Sequence, residues 1–368
     1  MKKILFVPYT FSMGGGAEKI LADTVRNLDP EKYEVTILPY ADYNIKTEKV
    51  PEYVTVLPGI LDITRAGKAE KLIKHILVHF CPELLRKWYI KDQYDMEISF
   101  NYQIPSFLVK ETKNTKAIMW VHTDVYDLKN STLQRCLQRR SFRRATKIVV
   151  ISENTERSVA EIFPECAQKI VRIYNGIHLD NIRQRSKETC DITLQSNAVV
   201  FLGRLDERKQ PLALLEVARI LNERNVPVHF YFLGQGELET EVRNKISEYH
   251  LEDRVSLLGY QQNPYPLIAQ GKIICMLSLA EGFPTVFAEG MALGKPFIST
   301  HVGGVQEMSQ DGRCGILVDS PEACADAIAQ LLADEVRYQQ MSQACLERIE
   351  DFSMARQKEN IEKLLNSL

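Results

Sequence analysis

Short apolar runs alternate with helical patterns along the whole chain, and that alternation admits few folds. Strand-like runs read at 3–8, 34–38, 54–57, 95–100, 116–121, 146–151 and 170–174, with helical patterns between several of them, as at residues 17–28. The rhythm resumes with strands at 197–203, 228–233, 254–258, 272–278, 296–300 and 315–318. Helical patterns read at 211–224, 237–249, 285–293, 321–333 and 335–350. A run such as Ile273-Ile274-Cys275-Met276-Leu277 shows no polar alternation, as expected of a strand covered on both faces. The pattern predicts α/β architecture with doubly wound parallel sheets.

A length of 368 residues suits two such domains. Polar residues interrupt the periodicity at 176–196, which places a first domain over 1–185 and a second over 190–351. Residues 352–368 read as a last helix carrying Ile361, Leu364 and Leu365. Residues 62–92 stand out as an irregular, basic insertion in the first domain.

Composition removes several function classes. A net charge of -2 argues against a globally basic nucleic-acid binder, so any phosphate site has to be built locally. The 8 cysteines form no C-x-x-C pair and no Cys/His cluster of zinc spacing, which fits scattered thiols in a reducing cytosol. The start, Met1 to Pro8, has too few apolar residues for a secretory signal and reads as the first strand. No apolar run approaches the roughly 18 residues of a membrane span. The expectation is a cytoplasmic protein, peripheral on the inner face of a membrane at most.

Glu281-Gly282-Phe283-Pro284-Thr285-Val286-Phe287-Ala288-Glu289 places two carboxylates eight residues apart across a strand-to-helix break. Pro284 suits a helix start, and the amides of Thr285 and Val286 there suit a phosphate. The acceptor oxygens of Glu281 and Glu289 suit sugar hydroxyls. Open α/β sheets bind ligands at this edge. The segment resembles the E-x7-E motif of retaining GT-B glycosyltransferases, family 4 in particular. That resemblance implies two Rossmann-like domains facing a cleft, the first binding acceptor, the second binding donor, with the C-terminal helix crossing back to the first. It also implies that Glu289 grips the nucleotide ribose and that Glu281, beside Phe283, faces the donated sugar.

Further segments carry the same resemblance in the same order. Gly14-Gly15-Gly16 precedes a helix start, where glycine lets backbone approach a ligand. In the family such a loop borders the donor diphosphate, which brings in Gly15 and Gly16. Gly203-Arg204 through Lys209 follows a strand, and the family's Arg and Lys hold the diphosphate there. Trp120-Val121-His122 ends a first-domain strand, and His122 matches the residue beside the reacting sugar. Tyr174-Asn175-Gly176-Ile177 matches the junction motif, with His178 where Asp is usual. Gly303-Gly304-Val305-Gln306-Glu307 matches a turn on the nucleobase side.

The resemblance implies a retaining hexosyltransferase using a nucleotide-sugar donor, UDP-sugar favoured over GDP-sugar. Its acceptor would be a glycan or a lipid-linked intermediate of surface polysaccharide. Developing charge on the leaving diphosphate needs cations. With no D-x-D in the chain, Arg204 and Lys209 are the expected substitute for a metal, and no cofactor is expected. Glu281 is not assigned as a nucleophile, because such enzymes are thought to react on one face of the sugar. Two rivals stay open: a sugar-nucleotide epimerase or hydrolase of the same fold, and a non-catalytic partner subunit. Residues 68–91 and 135–147 are basic, and the first of them is also amphipathic and aromatic. They raise contact with an anionic membrane as well as an ordinary solvated face.

Overall fold

The computed structural model describes the chain apart from Gly14, Gly15, residues 46–48, Asp124, residues 127–130 and Gly282. It divides into two units, Met1–Asn175 with Gln357–Leu368, and Gly176–Arg356.

The first unit is built on β1 (Lys2–Val7), β2 (Tyr33–Ile37), β3 (Ala41–Asp42), β4 (Val54–Val56), β5 (Leu61–Asp62), β6 (Met96–Ser99), β7 (Lys116–Val121), β8 (Lys147–Val150) and β9 (Ile170–Arg172). Seven of these form one parallel sheet in the order β4-β2-β1-β6-β7-β8-β9, while β3 and β5 pair separately. Its helices are α1 (Gly16–Asn27), α2 (Lys68–Phe80), α3 (Pro82–Tyr89), α4 (Ile104–Phe107), α5 (Thr132–Arg143) and α6 (Glu153–Ile162). The central strands are buried on both faces, as their unbroken apolar runs required. Ser131 and Ser152 cap α5 and α6 by accepting from backbone amides three residues on. Residues 62–92, read as irregular, instead hold α2 and α3.

The second unit holds β10 (Ala198–Leu202), β11 (His229–Leu233), β12 (Val255–Gly259), β13 (Ile273–Met276), β14 (Phe297–Ser299) and β15 (Gly315–Leu317). They form a parallel sheet in the order β12-β11-β10-β13-β14-β15. Around it run α7 (Leu179–Arg185), α8 (Pro211–Glu223), α9 (Glu239–Glu248), α10 (Tyr265–Gln270), α11 (Thr285–Met291), α12 (Val305–Ser309), α13 (Pro321–Ala333) and α14 (Glu335–Arg348). The last helix, α15 (Met354–Asn366), begins in this unit and has most of its length in the first.

Residues 176–185, placed in the first domain from sequence, belong to the second unit. Arg183 Nε donates to the Ala292 carbonyl at 3.4 Å, and Arg185 Nη2 to the Gln262 carbonyl at 3.1 Å. These bonds and the packing of α7 on α10 tie the segment there.

Both sheets change winding direction once. In the second, β10 and β13 lie side by side although three helices and two strands separate them in sequence. Loops leaving their C-terminal ends therefore meet at the switch point, where such sheets bind ligands.

Candidate functional site

The loop after β10 is built by short-range bonds. Asp206 Oδ1 accepts from the Lys209 amide at 3.0 Å, closing a tight turn that sends Lys209 back toward the sheet. The Leu279 amide donates to the Arg208 carbonyl at 2.8 Å, stitching this loop to the one after β13. Thr300 Oγ1 donates to the Ser278 carbonyl at 2.6 Å and anchors that second loop from β14.

Between the two loops lies a cavity of about 260 Å³. Six residues singled out from sequence line it: Lys209, Glu281, Phe283, Thr285, Val286 and Glu289. Inside it the Lys209 ammonium is hydrogen-bonded to Glu281 Oε1, with Lys209 15% and Glu281 7% exposed. Arg208, which the sequence reading passed over, puts Nη2 3.9 Å from Glu281 Oε2. Phe283 rests on Phe352, with ring centroids 5.4 Å apart. Pro284 precedes α11, whose first amides have no partner within the helix itself.

Glu289 stands one turn into α11. The helix lies close to β13 because position 290 is glycine: a Cβ there would fall 2.6 Å from Ile274 Cγ1. The negative charge of Glu289 reaches Tyr265, whose hydroxyl is pushed up to about 12, by burial first and by that charge second. Tyr265 had no sequence signal.

Arg204 is not brought into the cavity. Its guanidinium sits on Asp206 Oδ2 at 3.1 Å and is 74% exposed. The same Asp206 that turns Lys209 inward holds Arg204 outward. Gly15 lies outside the described residues, and Gly16 opens α1.

The loop after β11 supports this arrangement from the other side. The Leu205 amide donates to the Gln235 carbonyl at 3.1 Å, and the Leu238 amide to the Leu205 carbonyl at 2.9 Å. Such contact needs Gly236, since a Cβ there would lie 2.3 Å from the Leu205 oxygen. The sequence signal for this approach is Gly234-Gln235-Gly236 straight after an apolar strand. Gly236→Ala is expected to cost roughly 1–3 kcal/mol by overpacking. Gly203→Ala, whose Cβ would meet nothing nearer than 3.6 Å, should cost far less. Thermal unfolding of the two variants checks the contrast.

In the first unit, His122 follows β7 and lies parallel to Trp120, 5.9 Å between ring centroids, with Phe100 at 4.5 Å. Both its ring nitrogens are buried, and among the described residues neither has a hydrogen-bond partner; Trp120 Nε1 is in the same state. Burial drives the imidazole down to about 3, so it is neutral at ordinary pH. Leaving buried donors unmet costs about 1–3 kcal/mol each, and such groups call for an explanation.

Among the described residues no helix is long and apolar enough to cross a membrane.

Comparison with known proteins places this geometry. The Glycosyltransferase Family 4 model matches residues 14–181, and the Glycosyl transferases group 1 model matches residues 183–348. A Campylobacter jejuni N-acetylgalactosamine-N,N'-diacetylbacillosaminyl-diphospho-undecaprenol 4-alpha-N-acetylgalactosaminyltransferase is 29% identical over 232 residues, 62% of this chain and 61% of that enzyme. The same organism's GalNAc-alpha-(1->4)-GalNAc-alpha-(1->3)-diNAcBac-PP-undecaprenol alpha-1,4-N-acetyl-D-galactosaminyltransferase is 26% identical over 377 residues, 99% of this chain and 98% of that one. The crystal structure of Anabaena Alr3699/HepE in complex with UDP superposes with a TM-score of 0.71 at 19% identity, covering 100% of both chains. That likeness identifies the fold as GT-B. With the two models accounting in turn for most of each unit, the chain belongs to glycosyltransferase family 4, the glycosyl transferases group 1.

Proposed function

We propose that this chain transfers a hexose-type sugar from a nucleotide-diphosphate donor to a glycan or lipid-linked acceptor, with retention of anomeric configuration and without a metal ion. A UDP-sugar is favoured over a GDP-sugar. The observation that carries the reading is the single cavity holding Lys209, Glu281 and Glu289 at the switch point of the second sheet. The relatives named above act on undecaprenol-diphosphate-linked glycans and a structural neighbour holds UDP, which supports the lipid-linked acceptor and the uridine donor.

In this reading the donor diphosphate competes with Glu281 for the Lys209 ammonium. A phosphate takes up that charge-assisted bond and frees the Glu281 carboxylate to accept from sugar hydroxyls. Lys209, with Arg208 beside it, then stabilises the charge that grows on the leaving diphosphate. Arg204 joins them only by releasing Asp206. Glu289 accepts from the ribose hydroxyls, and amides at Thr285 and Val286 add dipoles toward phosphate. His122, neutral, is the first unit's candidate to hold a sugar hydroxyl. The proton of the acceptor hydroxyl passes to the departing phosphate oxygen as the new glycosidic bond forms. A lipid-linked acceptor also brings the first unit to an anionic membrane surface.

The test is incubation with UDP-hexoses and UDP-N-acetylhexosamines, a polyprenyl-diphosphate-linked sugar acceptor and EDTA. An axial (α) linkage from an α-linked donor, read by the proton coupling at the anomeric carbon, is expected. An inverted linkage, or transfer that needs added divalent metal, contradicts the reading.

A further inference from the structure

In α2 the apolar residues Ala69, Leu72, Ile73, Ile76 and Phe80 fall on one stripe, within about 100° of arc at the α-helical step. An ordinary surface helix turns such a stripe inward. Here it turns outward: Leu72 is 60% and Phe80 58% exposed, with Ile73 and Ile76 also exposed. The inward face is supplied by Val78, by Leu77, and by Lys74, whose Nζ reaches the Ile60 carbonyl at 2.7 Å. The next helix, α3, packs on α2 and continues the pattern, burying Leu85 while Leu84 and Trp88 stand exposed. Contiguous exposed apolar area of this kind marks an interaction site.

We infer that the α2–α3 face is a membrane-docking surface, lying in the interface with these apolar side chains among the acyl chains and its lysines on anionic headgroups. Lys68, Lys87 and Lys91 are exposed around the stripe. The acids of the two helices are already held by cations, Glu70 by Lys74 and Glu83 by Lys110. A basic rim around a strongly apolar face is the pattern of an interfacial helix pair on anionic lipid. A second copy of this chain is the poorer occupant, since a self-complementary contact would bring lysine rim against lysine rim. In the basic segment 135–147, Arg139 and Arg143 of α5 are already paired with Glu165, and Arg144 lies 3.8 Å from Glu83 of α3. The choice of a bilayer as partner rests on the lipid-linked acceptor proposed above.

Vesicle flotation tests the surface, using phosphatidylcholine alone and a mixture with phosphatidylglycerol. The full chain should float with the mixed vesicles. Leu72→Gln/Ile76→Gln/Phe80→Gln should lose at least about tenfold in partitioning to both, with its unfolding midpoint nearly kept because those side chains stand largely exposed and outside the buried core. Lys68→Gln/Lys87→Gln/Lys91→Gln should lose the preference for anionic vesicles while retaining the weaker binding to phosphatidylcholine. Full-chain protein that ignores both vesicles overturns the inference. So does a triple-Gln variant that floats unchanged, or a dimer in gel filtration that this variant dissolves. UDP titration of the same samples separates the two readings: vesicle failure with UDP bound leaves the donor site standing, and vesicle binding without UDP leaves this surface standing.

Discussion

Lys209→Met is expected to lower the rate of sugar transfer by about 100-fold or more and to destabilise the second unit by about 3 kcal/mol. The two effects have different origins. Lys209 and Glu281 are a nearly buried ion pair, so removing the lysine leaves a carboxylate without its main counter-charge, and Arg208 at 3.9 Å replaces it poorly. The catalytic loss comes from missing charge opposite the leaving diphosphate. A second substitution separates them. Lys209→Met/Glu281→Gln removes the stranded charge and should recover stability to within about 1 kcal/mol of the parent, because replacing both partners of a buried pair is often nearly neutral. Turnover should stay low. Urea unfolding followed by circular dichroism, with transfer rates on the same preparations, reads both. A double variant that regains activity along with stability would mean that Lys209 only holds Glu281.

Acid should loosen the first unit, and His122 should be a principal cause. An imidazole in the unfolded chain titrates near 6.5, whereas burial holds the folded one at about 3. Between these values the unfolded state carries one proton more than the folded state, so stability is complete above about pH 6.5 and falls as pH is lowered. The slope approaches about 1.4 kcal/mol per pH unit, or roughly 2 kcal/mol by pH 5. The two tryptophans of the chain, Trp88 and Trp120, both lie in this unit, so their fluorescence reports on it alone. His122→Gln should flatten the pH dependence of the urea midpoint by that amount. An unchanged slope in the variant would show that the imidazole is solvated or paired in solution.

The parallel sheets were legible because their central strands are buried on both faces and appear as unbroken apolar runs. The two-residue strands β3 and β5 were not, since a pair that short has no period. Nor was α7, whose Arg183 and Arg185 look like linker until their carbonyl partners in the second unit are known. The residues 281–289 were readable because one local motif sets both carboxylates, and chain geometry does the rest. The cations were harder. Arg204, Arg208 and Lys209 lie within six residues, and only the turn closed by Asp206 decides that Lys209 enters the cavity while Arg204 stays on its rim side. For α2 the sequence gives the stripe and not its direction, because direction depends on what the neighbouring chain offers to bury.

Calorimetric titration of UDP in the presence of EDTA tests the central assignment most directly. The parent chain should bind, and Glu289→Ala and Lys209→Met should each bind at least about tenfold more weakly, as expected from losing one charged hydrogen bond. No heat with UDP in the parent, or equal affinity in all three proteins, would contradict the placement of the donor in the cavity between Lys209 and Glu289.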